Sequence, residues 1–126
     1  MSGARVHPPF DRARFHRFLP CHAPLGRKVL TLGQTASTQL VLRSELSSIG
    51  AAGRGLVVLA EEQVAGRGRR AQDWWSGPAS ANLAISLAVH EAPEPPETLG
   101  MHAACALADA ARPLAAGRKL ALKWPN

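Results

Sequence analysis

Cysteine is scarce in this chain. Cys21 and Cys105 are the only two in 126 residues and lie far apart, which excludes a disulfide-stapled scaffold. No basic stretch followed by an apolar leader precedes them, so a reduced, cytoplasmic setting is expected. No run of about 18 apolar residues is present, which excludes a membrane-spanning helix. Metal ligands are equally sparse. His16, Cys21 and His22 lie near one another in sequence, but a zinc site needs four ligands at tight, recurring spacings and nothing downstream completes the set. No metal site is expected. The sequence has neither the lysine and hydroxyl of a phosphate-binding P-loop nor the spacing of a dinucleotide-binding turn. An organellar transit peptide fits poorly, because the arginine-rich start has a single serine and several prolines.

Acidic residues are missing mainly from one place. Residues 1–28 contain Arg5, Arg12, Arg14, Arg17, Arg27 and Lys28 against Asp11 alone, and account for most of the formal charge of +6. The remainder is nearly neutral. The length suits one small domain, with residues 1–28 expected as a basic, Pro/Arg-rich tail or linker and residues 29–126 as the folded part.

Hydrophobic patterning then gives the order of elements. Val29–Leu32 reads as a short strand. Ser37 and Thr38 offer hydroxyls able to cap a helix with apolar positions at Leu42, Leu46 and Ile49, stopped by Gly50. Leu56–Ala60 is an apolar run of strand length. Leu83, Ile85, Leu87 and Val89 alternate with small or polar residues, the period of a half-buried strand. After Pro93, Pro95 and Pro96, an alanine-rich segment over 97–112 has helical composition, closed by Pro113 and Gly117. Lys119–Trp124 reads as a last strand. This order predicts an α/β (α+β) chain, a mixed sheet with flanking helices. A chain that stops directly after a strand and its polar turn reads as truncated.

Between the second and third strands lies the segment with chemical content. Residues 61–76 place Arg67, Arg69 and Arg70 around Gly66 and Gly68, followed by Trp74 and Trp75. Glycines let the backbone approach a ligand and adopt positive φ, and guanidinium forks match carboxylate and phosphate oxygens. The indoles offer flat apolar faces for a ring or base. The expected ligand is an anion, and a nucleotide together with an acid satisfies both features. Plainer roles exist for the same residues. Ser37 and Thr38 serve equally as a cap, Trp74 and Trp124 as core or edge aromatics, and Arg70 as a surface partner of Glu61 or Glu62.

Three segments together resemble the biotin protein ligase family. Ser37-Thr38-Gln39 resembles its Ser-Thr-Asn element, and Gln63 through Ser76 resembles its Gln-x-x-Gly-Arg-Gly-Arg-Arg-Gly-x-x-Trp-x-Ser loop. Asn82-Leu83 and Ser86 follow suitably, and Lys123-Trp124-Pro125-Asn126 resembles its Lys-Trp-Pro-Asn-Asp element. The resemblance covers residues 29–126 and implies a class II synthetase-like, biotin ligase-like fold. It implies an enzyme that joins biotin to ATP, with Mg2+ accompanying the nucleotide, and passes the biotinyl group to a lysine of a biotin carboxyl carrier protein of the acetyl-CoA or pyruvate carboxylase type. Ser37, Thr38, Gln39, Gln63, Gly66, Arg67, Gly68 and Arg69 would then surround biotin and its activated carboxyl. Arg69, Arg70, Trp74, Lys123 and Asn126 would face the nucleotide. Gln39, Ala71 and Gln72 depart from the family's Asn, Gly and frequent Arg. The family's catalytic lysine is expected beyond Asn126, so no catalytic residue is assigned within the chain and little or no turnover is expected of it alone.

Other readings stay open on sequence alone. A lipoate ligase or octanoyl transferase also loads an acyl acid onto a carrier lysine. A nucleic-acid-binding module would use the basic arm and the Arg-Trp loop. That reading is disfavoured because the segment before Val29 is too short and proline-rich for a winged helix. A non-catalytic remnant is the third.

Overall fold

The apolar run beginning at Leu56 lies at the centre of the architecture. In the computed structural model, which describes residues 10–68, 72, 74, 75, 77, 79, 82–91 and 94–123, this run opens the strand β2, Leu56–Gln63. Its neighbours are β1, Lys28–Thr35, and β3, Ala84–Leu87, in the order β1-β2-β3. β1 and β2 are parallel, with Val29 opposite Val57 and Thr35 opposite Gln63, while β3 runs antiparallel to β2 with Ser86 opposite Val58. A parallel pair needs a crossover, supplied here by the helix α2, Thr38–Ile49. The sheet is therefore mixed, as the order of elements predicted.

Strand alternation sorts the apolar side chains onto two faces. On one, Leu56, Val58 and Ala88 pack with Leu42 of α2, and Leu30, Leu32, Val41 and Leu46 surround them. On the other, Val29, Val57 and Leu59 are covered by Phe15. Phe15 belongs to a further helix, α1, Arg12–Phe18, with the Asp11 carboxylate accepting from the Arg14 N–H at its N-terminus. Here the structure departs from the expected irregular arm. One large aromatic in a short basic helix carries no clear apolar period, yet it suffices to anchor the helix. Nearby cations serve the main chain: Arg12 donates to the Val29 carbonyl, Arg27 to the Ala23 and Cys21 carbonyls, and Lys28 to the Ala52 carbonyl.

β3 has the expected period but the opposite orientation. Ser86 and Ala88 are the buried positions, whereas Ile85 is 38% and Leu87 40% exposed. Small residues let α2 approach the sheet closely, so the large side chains of β3 fall on the far face. Gly50 ends α2 at φ +53°, as its position suggested, and its N–H bonds the Leu46 carbonyl.

The chain divides into two compact units, Met1–His90 and Glu91–Asn126. The second contains the expected alanine-rich helix, α3, Leu99–Ala111, flanked by 3-10 turns at Pro96–Thr98 and Arg112–Ala115. The expected strand over Lys119–Trp124 is not formed in its described part, 119–123. Alternating apolar residues favour a strand only where a neighbour completes the hydrogen-bond ladder, and none pairs with them among the described residues. Trp124 lies outside the described residues.

Leu42 and Leu40 provide a test of this packing, being 7% and 58% exposed on the same helix. Leu42→Ala is expected to cost about 2 to 5 kcal/mol and Leu40→Ala less than about 0.5 kcal/mol. Urea unfolding of both variants checks this, and equal losses would contradict the assignment of the core face.

Candidate ligand-binding site at the end of the parallel pair

Parallel strands that finish in register bring together whatever follows them. β1 ends at Thr35 opposite Gln63, the last residue of β2, and α2 starts three residues after Thr35. The first turn of α2 therefore stands beside the Gln63 side chain. The Thr38 N–H donates to Gln63 Oε1 at 2.8 Å, and Thr38 Oγ1–H donates to the same oxygen at 3.0 Å. Thr38 Oγ1 also lies 2.9 Å from Ser86 Oγ, reaching across to β3.

The chemistry of the donors fixes the direction of this chain. A backbone N–H only donates, so the Gln63 atom facing it is the oxygen, and the amide orientation follows. Thr38 has one hydroxyl hydrogen and gives it to Oε1, so Ser86 must donate to Thr38. The sequence runs Ser86 O–H to Thr38 O–H to Gln63 C=O. Gln63 Nε2 is left at the end with no partner among the described residues, its two hydrogens available to an acceptor. Thr38 is 3% and Ser86 8% exposed, so the first two links are shielded from water and correspondingly firm.

Beyond Gln63 the chain enters the glycine and arginine loop. Val64 and Ala65 donate to the carbonyls of Thr35 and Ala36, prolonging the parallel pairing past the strands. The loop then folds on itself, with Gly68 N–H bonded to the Gln72 carbonyl at 2.8 Å and Trp74 N–H to the Gly66 carbonyl at 3.3 Å. A Cβ added at Gly66 would lie 3.2 Å from Gln63 Nε2 and 3.2 Å from Trp74 Cδ1. Gly66 thus serves close approach between the amide and the indole. Neither Gly66 nor Gly68 has the positive φ anticipated for them. Trp74 remains 60% exposed and Trp75 more so. The Arg67 side chain is exposed and makes no ion pair or hydrogen bond among the described residues.

Of the residues singled out from sequence, the structure thus brings together Thr38, Gln63, Gly66 and Trp74, with Arg67 and Gly68 on the same loop. Ser37 occupies the N-cap position of α2, but its hydroxyl makes no cap bond. The amide of Gln63 supplies the acceptor at that end instead. Gln39 is exposed on α2, and Lys123 is exposed in the second unit. Arg69, Arg70 and Asn126 lie outside the described residues. Ser86, which sequence marked only as following the loop at a suitable distance, is the start of the hydrogen-bond chain. Its signal was a hydroxyl at a small-residue position of an alternating strand.

The profile of the biotin/lipoate A/B protein ligase family matches residues 32–126. The chain belongs to this family. The matched region takes in the second half of β1, then α2, β2, the loop, β3 and α3. The chain is also 33% identical, over 127 aligned positions, to the biotin–[acetyl-CoA-carboxylase] ligase of Mycobacterium tuberculosis. That alignment covers 97% of this chain and 47% of the relative, so the chain spans about half the length of the ligase it matches. Coverage of 97% also takes in much of the segment before β1, where α1 lies.

Ser37 and Thr38 test the assignment of roles at this helix start. Ser37→Ala is expected to change stability by less than about 0.5 kcal/mol, although loss of a working N-cap costs about 1 kcal/mol. Thr38→Val keeps the shape and removes the middle hydroxyl, for an expected loss of about 1 to 3 kcal/mol. Denaturant titration distinguishes the two, and a reversed order would contradict the hydrogen-bond chain.

Proposed function

We propose that this chain carries the biotin-binding part of a biotin protein ligase, an enzyme that forms biotinyl-AMP from biotin and ATP and transfers biotin to a lysine of a biotin carboxyl carrier protein. The observation that carries the reading is the fixed orientation of Gln63. Its oxygen is occupied by Thr38, so its amide offers hydrogens beside Gly66. A ureido carbonyl is a strong acceptor for such a donor. The dithiolane ring of lipoate and the alkyl chain of an octanoyl group have no comparable acceptor there, and a donor covered by a ligand but left unpaired costs about 1 to 3 kcal/mol. The 33% identity to a ligase named for biotin points the same way.

In the first step a carboxylate oxygen of biotin attacks the α-phosphorus of ATP, and the bond to pyrophosphate breaks as pyrophosphate leaves with the electron pair. In the second, the carrier's lysine amine attacks the acyl carbon, AMP leaves with the oxygen, and the amine gives up a proton. Two anions must meet in the first step. Arg67, exposed and without a hydrogen-bond or ion-pair partner among the described residues, is suited to the acyl carboxylate, and Arg69 and Arg70, next in sequence, are assigned to the phosphates. Trp74, on the Gly66 backbone, offers its open indole face to a base. Mg2+ accompanies ATP as the counter-charge of its phosphates. Gly66 and Gly68 let the acid approach the loop backbone, and Lys123 and Asn126 are assigned to the nucleotide side. The setting proposed is cytoplasmic, with a carrier protein or domain of the acetyl-CoA or pyruvate carboxylase type as partner and no nucleic acid.

Calorimetric titration of the natural protein carrying this sequence with biotin and with lipoate tests the reading. Biotin is expected to bind saturably, and Gln63→Ala to weaken it roughly tenfold. Arg67→Ala is expected to slow biotin-dependent pyrophosphate release at least about tenfold. Saturable binding of lipoate without binding of biotin would overturn the assignment.

A further inference from the structure

We infer that Ser86 is a positioning residue for substrate recognition, setting the Gln63 amide through Thr38 so that its hydrogens face the acid's head group. The inference rests on the biotin-binding reading of Gln63 and assigns the device that selects for an acceptor-bearing ring.

Volume alone does not ask for serine at this place. Ala88, just past the end of β3 and two residues on from Ser86, is 9% exposed in the same cluster as Leu42 and Val58, so alanine packs well under α2. A hydroxyl at Ser86 adds a polar group to an otherwise apolar face, which is costly unless it is bonded. It is bonded, to Thr38 Oγ1 at 2.9 Å. The direction of that bond matters more than its presence. With Ser86 donating, the lone pair of Thr38 Oγ1 that faces the core is occupied, and the Thr38 hydrogen is held toward Gln63 Oε1 at 3.0 Å. Together with the Thr38 N–H at 2.8 Å, this occupies the amide oxygen. Without Ser86, the core-facing lone pair of Thr38 Oγ1 is left unsatisfied and its hydroxyl is no longer confined to one rotamer, so the bond it gives to Gln63 Oε1 is weakened and the backbone N–H becomes the main tether of the amide. Gln63 is only half-buried, so it can then flip or swing toward solvent. Binding would have to reorder it, and the expected loss is in affinity rather than in the chemical step.

Steady-state kinetics of biotin-dependent pyrophosphate release provide the test, using the natural protein carrying this sequence, Ser86→Ala, Gln63→Ala and the double variant. Ser86→Ala is expected to raise the KM for biotin roughly fivefold, with kcat within about twofold and the KM for ATP unchanged. In the Gln63→Ala background the same change is expected to have no further effect on the KM for biotin, because the residue it acts through is gone. A Ser86→Ala enzyme with lowered kcat and an unaltered KM for biotin would mean that Ser86 only holds the core together, and would overturn the inference. So would an undiminished KM effect in the double variant. If Gln63→Ala itself leaves the KM for biotin unchanged, the biotin-binding reading of Gln63 fails, and the role of Ser86 with it.

Discussion

The parallel pairing of β1 and β2 is the constraint on which the site depends. Because the strands finish together at Thr35 and Gln63, the start of α2 and the end of β2 meet without any long-range loop having to find its place. The register also fixes which side chain of β3 reaches the helix, since Ser86 lies opposite Val58, the most deeply buried side chain of the sheet. A one-residue slip would turn every alternate side chain to the opposite face, removing both Ser86 from Thr38 and Val58 from Leu42. Core and site therefore share one specification.

The sheet is covered unequally. On the α2 side, leucines from the helix meet valine, alanine and serine from the strands. On the other, Phe15 shields Val29, Val57 and Leu59, while Ile85 and Leu87 remain partly open. Side-chain donors of α1 are tied to this arrangement. Arg12 bonds the Val29 carbonyl, and the His16 ring, 3.1 Å from the Gly26 carbonyl, donates to it through Nε2. Much of the positive charge that stands out in the first 28 residues thus lies close to the folded unit, where several of its donors are spent on the main chain.

Sequence patterning located β2, α2 and α3 well, because each is a short run with a clear period and a recognisable stop. It missed α1, whose single buried aromatic gives no period at all. It also read the large residues of β3 as the half-buried face, since alternation reports that two faces differ but not which one a helix will cover. Lys119–Lys123 has strand composition and no pairing partner among the described residues. At the site, motif resemblance assigned Thr38, Gln63 and Gly66 to one ligand, and the fold brings the three side by side. Sequence had no means of giving the direction of a hydroxyl or an amide, and so assigned Ser37 and Thr38 a capping role that the amide of Gln63 fills.

Gln63 is read from its two ends by different parties. The fold addresses only the oxygen, which receives two hydrogens from Thr38, and any side chain with an acceptor at that point would meet the same requirement, a carboxylate included. Nothing in the helix start distinguishes glutamine from glutamate. The distinction lies wholly in the other atom, which gives hydrogens as nitrogen and would take them as oxygen. The polarity that this position presents away from the helix is therefore independent of what it contributes to the architecture, and exchanging one atom would reverse the first while leaving the acceptor that the second requires.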